Sequence, residues 1–153
     1  MKKVNKILAP VDFSACSEGG GMIPTIDQIL SRKIFSVAPG KSVAAAAKEM
    51  AKRETGSVLV AHEGRYIGIV TECDIVRKVV AKGFDPATVQ AGSIMSFPIV
   101  AVAFDRPLTE ANDLMRREKI RHLAITRNGK IIGMISTRDF LEPGDTEREA
   151  SGF

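Results

Sequence analysis

Apolar and polar positions change period along this chain several times, and the changes come in the same order twice. Val43, Ala46, Ala47 and Met50 recur at the three- and four-residue spacing of one helix face, as do Leu108, Ala111 and Met115. Ahead of each helix lies a short extended segment, Phe35-Ser36-Val37 or Ile99-Val100-Ala101-Val102. A turn follows it, at Pro39-Gly40 or Asp105-Arg106-Pro107, with Ser42 and Asp105 as candidate caps. Behind each helix the period drops to that of strands. Ser57 to Ala61 and Tyr66 to Val70 flank Glu63-Gly64, while His122 to Thr126 and Ile131 to Ile135 flank Asn128-Gly129, so each pair predicts a β-hairpin. Asp74 to Lys82 and Asp139 to Leu141 then open a final helix, long in the first case and short in the second.

The recurrence is an internal repeat. Tyr66-Ile67-Gly68-Ile69-Val70-Thr71-Glu72-Cys73-Asp74 matches Ile131-Ile132-Gly133-Met134-Ile135-Ser136-Thr137-Arg138-Asp139 at an offset of 65 positions. Without an insertion, the same offset aligns Val43 with Leu108, Met50 with Met115, Val58 with Leu123 and Gly64 with Gly129. A strand-helix-strand-strand-helix unit is therefore duplicated over residues 22–86 and 87–142. The fold class is α+β. One unit is too small to cover both faces of its sheet, so the two are expected to pack about a pseudo-twofold axis and form two equivalent clefts.

Composition narrows the classes of function. The chain has 153 residues, 44% hydrophobic and 26% charged, the balance of a globular core. Its longest apolar stretch, Ile99 to Phe104, falls far short of the ~20 residues that cross a bilayer, and the amino end lacks a secretory apolar core. No membrane association and a cytoplasmic location are expected. The net charge of +4 comes from interspersed signs and favours an anionic ligand only mildly. Cys16 and Cys73 form neither a CxxC unit nor a disulfide framework. With 5% aromatic residues and no Trp, single-stranded nucleic acid would find few stacking platforms.

Chemistry concentrates where each hairpin ends. Thr71 and Asp74, and in the second unit Ser136 and Asp139, place a hydroxyl and a carboxylate three residues apart, where a helix start leaves backbone N–H groups free. Such a site favours a phosphate, and its carboxylate can accept from both hydroxyls of a ribose. Arg138 adds a planar fork suited to phosphate, whereas its counterpart Cys73 adds no charge. His62 and His122 have no partners at metal-ligand spacing, and no nucleophile-base arrangement suggests catalysis, so neither a metal nor an enzyme is expected. The basic run from Arg116 to Arg121 reads as a solvated helix end.

The duplicated unit, with Gly, two apolar residues, Ser or Thr and then Asp closing its hairpin, resembles the cystathionine-β-synthase (CBS) domain, and the tandem resembles a Bateman module. That resemblance implies a regulatory sensor of adenosine compounds (AMP, ADP, ATP, NAD or S-adenosylmethionine) with no obligatory cofactor. It also implies a homodimer or a protein target that reads out occupancy of the clefts between the paired motifs. By the same resemblance the base-holding positions are Ser36, Val37, Ala38, Ser57 and Val58 in the first unit, and Val100, Ala101, Val102, His122 and Leu123 in the second. Ala101 departs from the hydroxyl many relatives carry, and the second-unit site is favoured over the first. The alternatives are a ligand-free structural dimerisation module and, behind it, nucleic-acid binding through the positive surface.

Residues 1–21 stand apart as an amino-terminal extension. Lys6 to Ser14 resembles the opening strand and loop of a universal stress protein, and Gly19-Gly20-Gly21 leads from it into the first unit. The polar tail, 143–153, is expected to be mobile.

Overall fold

The computed structural model describes residues 25–30 and 34–140, which form two compact units. The first unit comprises residues 34–100. It contains β1 (Ser36–Val37), α1 (Val43–Lys52), β2 (Ser57–His62), β3 (Arg65–Thr71), α2 (Glu72–Ile75), a π-helical turn (Val76–Val80) and α3 (Ala91–Ile94). Its sheet runs β1-β2-β3, the first pair parallel and the second antiparallel. Ser42 caps α1, its Oγ accepting from the Ala45 N–H at 3.1 Å, and leaves the helix free to turn Val43, Ala46 and Met50 inward. Those three meet Val58, Val60 and Val70 of the sheet in a core closed by Val79, Ala91, Ile94 and Met95.

The second unit comprises residues 25–30 and 101–140. It contains β4 (Ala101–Ala103), α4 (Leu108–Glu118), β5 (His122–Arg127), β6 (Lys130–Ser136) and a 3-10 turn (Thr137–Phe140). Its sheet, β4-β5-β6, repeats the first in detail. His122 pairs with Ser136 as Ser57 pairs with Thr71, and the bulge at Val60/Ala61 returns at Ile125/Thr126. The hairpin turns correspond too. Glu63 and Gly64 have φ of 51° and 74°, Asn128 and Gly129 of 51° and 76°, the doubly left-handed turn that matches strand twist. Ala111, Leu114 and Met115 of α4 are buried, as are Leu123, Ile125 and Ile135 of the hairpin.

The compact units and the sequence repeats do not share boundaries. Thr25 bridges to Pro107, and the Ile26 N–H donates to the Arg106 carbonyl at 3.3 Å, so the 3-10 turn Ile26–Gln28 belongs to the second unit. The counterpart of this arrangement, 65 positions along, holds α3 in the first unit. Gln90 bridges to Ser42, and the Ala91 N–H donates to the Lys41 carbonyl at 2.7 Å. Each repeat thus lends its leading helical turn to the unit built from the other repeat's hairpin, and Ile26 and Ala91 are both fully buried there. An offset in sequence measures likeness along the chain; it does not say which sheet a segment covers.

Three local expectations differ from what is found. Asp105 does not cap α4. The helix begins at Leu108 with Pro107 extended before it (φ −61°, ψ 146°), and a residue preceding proline is pushed out of the helical region, so Asp105 lies too early to reach the first helical N–H groups. The helix expected over Asp74 to Lys82 starts earlier, at Glu72, and widens after Ile75 into the π-helical turn that ends at Val80. At Asp139 no α-helix opens; the chain makes one 3-10 turn through Phe140. Residues 1–21, Leu141 and the tail lie outside the described residues.

Candidate functional site

Both hairpins deliver their last strand residue into a helical turn, and the two junctions share a backbone frame. The Glu72 N–H donates to the Gly56 carbonyl at 3.0 Å, and the Thr137 N–H donates to the Arg121 carbonyl at 3.0 Å. In each, the aspartate three residues past the strand end folds back on the backbone. The Thr71 N–H donates to Asp74 Oδ2 at 3.0 Å, and the Ser136 N–H donates to Asp139 Oδ2 at 2.6 Å. This is half of a capping box, favoured because a helix start leaves its N–H groups without partners.

Beyond that frame the junctions diverge. At the first, Thr71 Oγ1 lies 3.1 Å from Asp74 Oδ2 and also accepts from the Asp74 N–H, which completes the box. Asp74 Oδ1 accepts from Ser96 Oγ at 2.9 Å and from the Lys78 ammonium at 2.8 Å. The carboxylate is 7% exposed as part of its residue and carries four donors, the number an ionised carboxylate accommodates. At the second junction Asp139 is half-buried and accepts, among the described residues, only from Ser136. Oδ1 has no donor among the described residues. Arg138, which precedes Asp139, and Arg121, whose carbonyl accepts from the Thr137 N–H, are both exposed; the first junction has Cys73 and Gly56 in their places.

The sheet brings other predicted residues to the same end. Ser57 faces Thr71 across the ladder and His122 faces Ser136. Val58, Ala101, Val102 and Leu123 have buried side chains, so what they can offer a ligand is backbone. Among the described residues β1 and β4 pair on one side only, which puts Ser36, Val37 and Ala38, and Val100, Ala101 and Val102, at a sheet edge; Ala101 and Val102 are nevertheless buried there. The 3-10 turn at Asp139 is too short to sum a helix dipole, so attraction for an anion at that junction rests on its arginines rather than on the helix start.

Lys78, Ser96 and Arg121 are absent from the residues that motif reasoning selects. Lys78 was the most accessible of them, because its spacing of four from Asp74 is that of a helical ion pair. Ser96 lies 22 residues from Asp74 and carries no local signal. Arg121 is masked by its place in a basic run. Among the described residues no three His, Cys, Asp or Glu side chains group to hold a metal, and no helix is long and apolar enough to cross a membrane.

Two α+β units in strict register, each ending its hairpin in a Ser/Thr-Asp junction, define a duplicated α+β module. The CBS-domain family model matches residues 26–81 and 91–143, and the chain belongs to that family. An uncharacterized protein of Methanopyrus kandleri is 36% identical over 120 residues, which cover 77% of this chain and 61% of that protein. A CBS-domain structure from Burkholderia ambifaria, named for a role in signal transduction, superposes with a TM-score of 0.73 at 34% identity, covering 76% of this chain and 90% of that one. The hexameric CBS-CP12 protein of bloom-forming cyanobacteria gives 0.73 at 30% identity, covering 80% and 69%.

Proposed function

We propose that the chain is a regulatory sensing module that binds an adenosine-containing ligand at the hairpin-turn junction of its second repeat and passes occupancy to a partner or a second copy. The observation that carries the reading is Asp139. Among the described residues its carboxylate is held by one hydrogen bond, from the Ser136 N–H to Oδ2; the exposed Arg138 precedes it in the chain, and the exposed Arg121 is tied to the same turn by its carbonyl, which accepts from the Thr137 N–H. A ribose diol supplies two donors for such a carboxylate, and a phosphate supplies the anion the arginines lack. Hydrogen bonds to charged groups contribute about 1.5–3 kcal/mol each, so a diol and phosphate held together reach the ~8 kcal/mol of micromolar affinity.

Thermal unfolding with AMP, ADP, ATP, NAD and S-adenosylmethionine tests this. At least one should raise the midpoint, and Asp139→Ala should abolish the rise. No shift with any of them at millimolar concentration overturns the nucleotide reading.

A second reading, a structural dimerisation module, is favoured by one observation. Val76, Val80 and Phe84 follow one another at four-residue spacing and are 57%, 62% and 54% exposed. Such a row is the kind of surface a second copy covers, and the CBS-CP12 relative is a hexamer. Size-exclusion chromatography with and without nucleotide separates the readings. A dimer indifferent to every ligand that leaves the melting temperature unchanged supports the structural one.

A further inference from the structure

The first junction has the same hydroxyl-carboxylate pair as the second, yet its carboxylate is buried and met by four donors. Two of its donors come from the N-cap residue itself, the Thr71 N–H, which is half of the capping box, and the Thr71 hydroxyl. The other two reach Oδ1 and are not part of any helix start. Ser96 is fastened to the hairpin by a pair of backbone hydrogen bonds, its N–H to the Ile69 carbonyl at 2.7 Å and its carbonyl to the Ile69 N–H at 3.0 Å, and from there its hydroxyl meets Asp74 at 2.9 Å. Lys78 reaches back one turn, and its ammonium is divided between Asp74 Oδ1 and the Ile94 carbonyl, both at 2.8 Å.

We infer that Lys78, assisted by Ser96, is an internal occupant that closes the first junction, so that the chain takes one nucleotide rather than two. The chemistry is substitution in kind. A ribose would present two O–H donors to Asp74; Ser96 and Lys78 already present an O–H and an N–H donor to the same oxygen, and the ammonium also neutralises the charge. A ligand could reach Asp74 Oδ1 only by displacing the charge-assisted contact of Lys78 and the hydroxyl of Ser96. At the offset of 65 the position equivalent to Lys78 is Pro143, just past the second repeat, a residue with no ammonium to offer. Lys78 is thus the residue that makes two junctions of common ancestry differ in accessibility. The inference rests on the nucleotide reading for its ligand class, but its subject is which junction accepts that ligand.

The test is stoichiometry by calorimetry and equilibrium dialysis on the full chain, with AMP as the probe. The wild type should bind one AMP per chain, and Asp139→Ala none. Lys78→Met, which keeps the aliphatic stem and removes the charge, should bind two, and Lys78→Met with Asp139→Ala should bind one, lost again on adding Asp74→Asn. Two AMP bound by the wild type overturn the inference, as does a folded Lys78→Met variant that still binds one. Should Lys78→Met not fold, the wild-type stoichiometry and the milder Ser96→Ala variant carry the test: two sites in the wild type refute closure. If the wild type binds no AMP while Lys78→Met binds one, the reading of the second junction fails and closure of the first stands. If neither binds, both fail.

Discussion

Removing the carboxylate of Asp74 should destabilise the protein several times more than removing that of Asp139, although the two occupy the same position of the repeat. Asp74→Ala deletes the acceptor of four donors. Loss of the cap costs about 1 kcal/mol, and the Thr71 and Ser96 hydroxyls, both in part-buried surroundings, lose their acceptor at roughly 0.5–1 kcal/mol each. The ammonium of Lys78 adds little. Its side chain is 41% exposed and it keeps the Ile94 carbonyl, so the ion pair is discounted to well under 1 kcal/mol. The total is about 3 kcal/mol. Asp139→Ala removes one hydrogen bond at a half-buried turn, about 0.5–1 kcal/mol. At roughly 2–4 °C per kcal/mol for a chain of this size, the melting temperature should fall by about 6–12 °C in the first variant and about 1–4 °C in the second. Lys78→Met, which leaves Asp74 three donors, should cost only about 1 kcal/mol and remain folded. Urea unfolding followed by circular dichroism, without ligand, measures all three. Equal losses for the two aspartates would refute the asymmetry on which the distinction between the junctions stands.

Further outcomes follow from the hairpins and the exchanged turns. Glu63 holds φ 51° without the local hydrogen-bonding of an Asn, so Glu63→Asn, which copies the Asn128-Gly129 turn, should stabilise by about 0.5–1 kcal/mol in the same urea assay. A Cβ on Gly68 would lie 2.5 Å from Met95 Sδ and 3.1 Å from Met95 Cβ; Gly68→Ala should therefore cost about 1–3 kcal/mol, and combining it with Met95→Ala should give less than the sum of the two losses in a double-mutant cycle. Ile26→Ala should cost about 2–5 kcal/mol. Native-state hydrogen exchange should then show lost protection in β4, β5 and β6 rather than in β1, β2 and β3, because the turn that carries Ile26 packs with the second unit.

Most of the fold was legible because it is written in local periodicity and then written again. Helix faces at Val43, Ala46 and Met50, hairpins around Glu63-Gly64 and Asn128-Gly129, and the cap at Ser42 depend on residues within one turn or one ladder of each other, and their recurrence at 65 positions excluded coincidence. Leu114 escaped the face assigned to α4, since three anchors at Leu108, Ala111 and Met115 were enough to define a stripe without it. The start of α4 was misjudged for a related reason: a cap at Asp105 is a plausible local motif, but the constraint of Pro107 on the residue before it decides where the helix begins.

By itself the sequence determined the α+β class, the duplication and the pairing of a hydroxyl with an aspartate at the end of each hairpin. Those features are set by neighbours along the chain, and backbone sterics and the hydrophobic period translate them directly into elements. Only the tertiary structure decided which hairpin each leading turn covers and how the two aspartates differ. Thr25 meets Pro107 and Gln90 meets Ser42 across long stretches of chain, and Asp74 is enclosed by Ser96 from the other repeat, whereas among the described residues Asp139 accepts only from Ser136. A carboxylate's availability depends on every donor that the fold brings within about 3 Å of it, and most of those donors are not its neighbours in sequence.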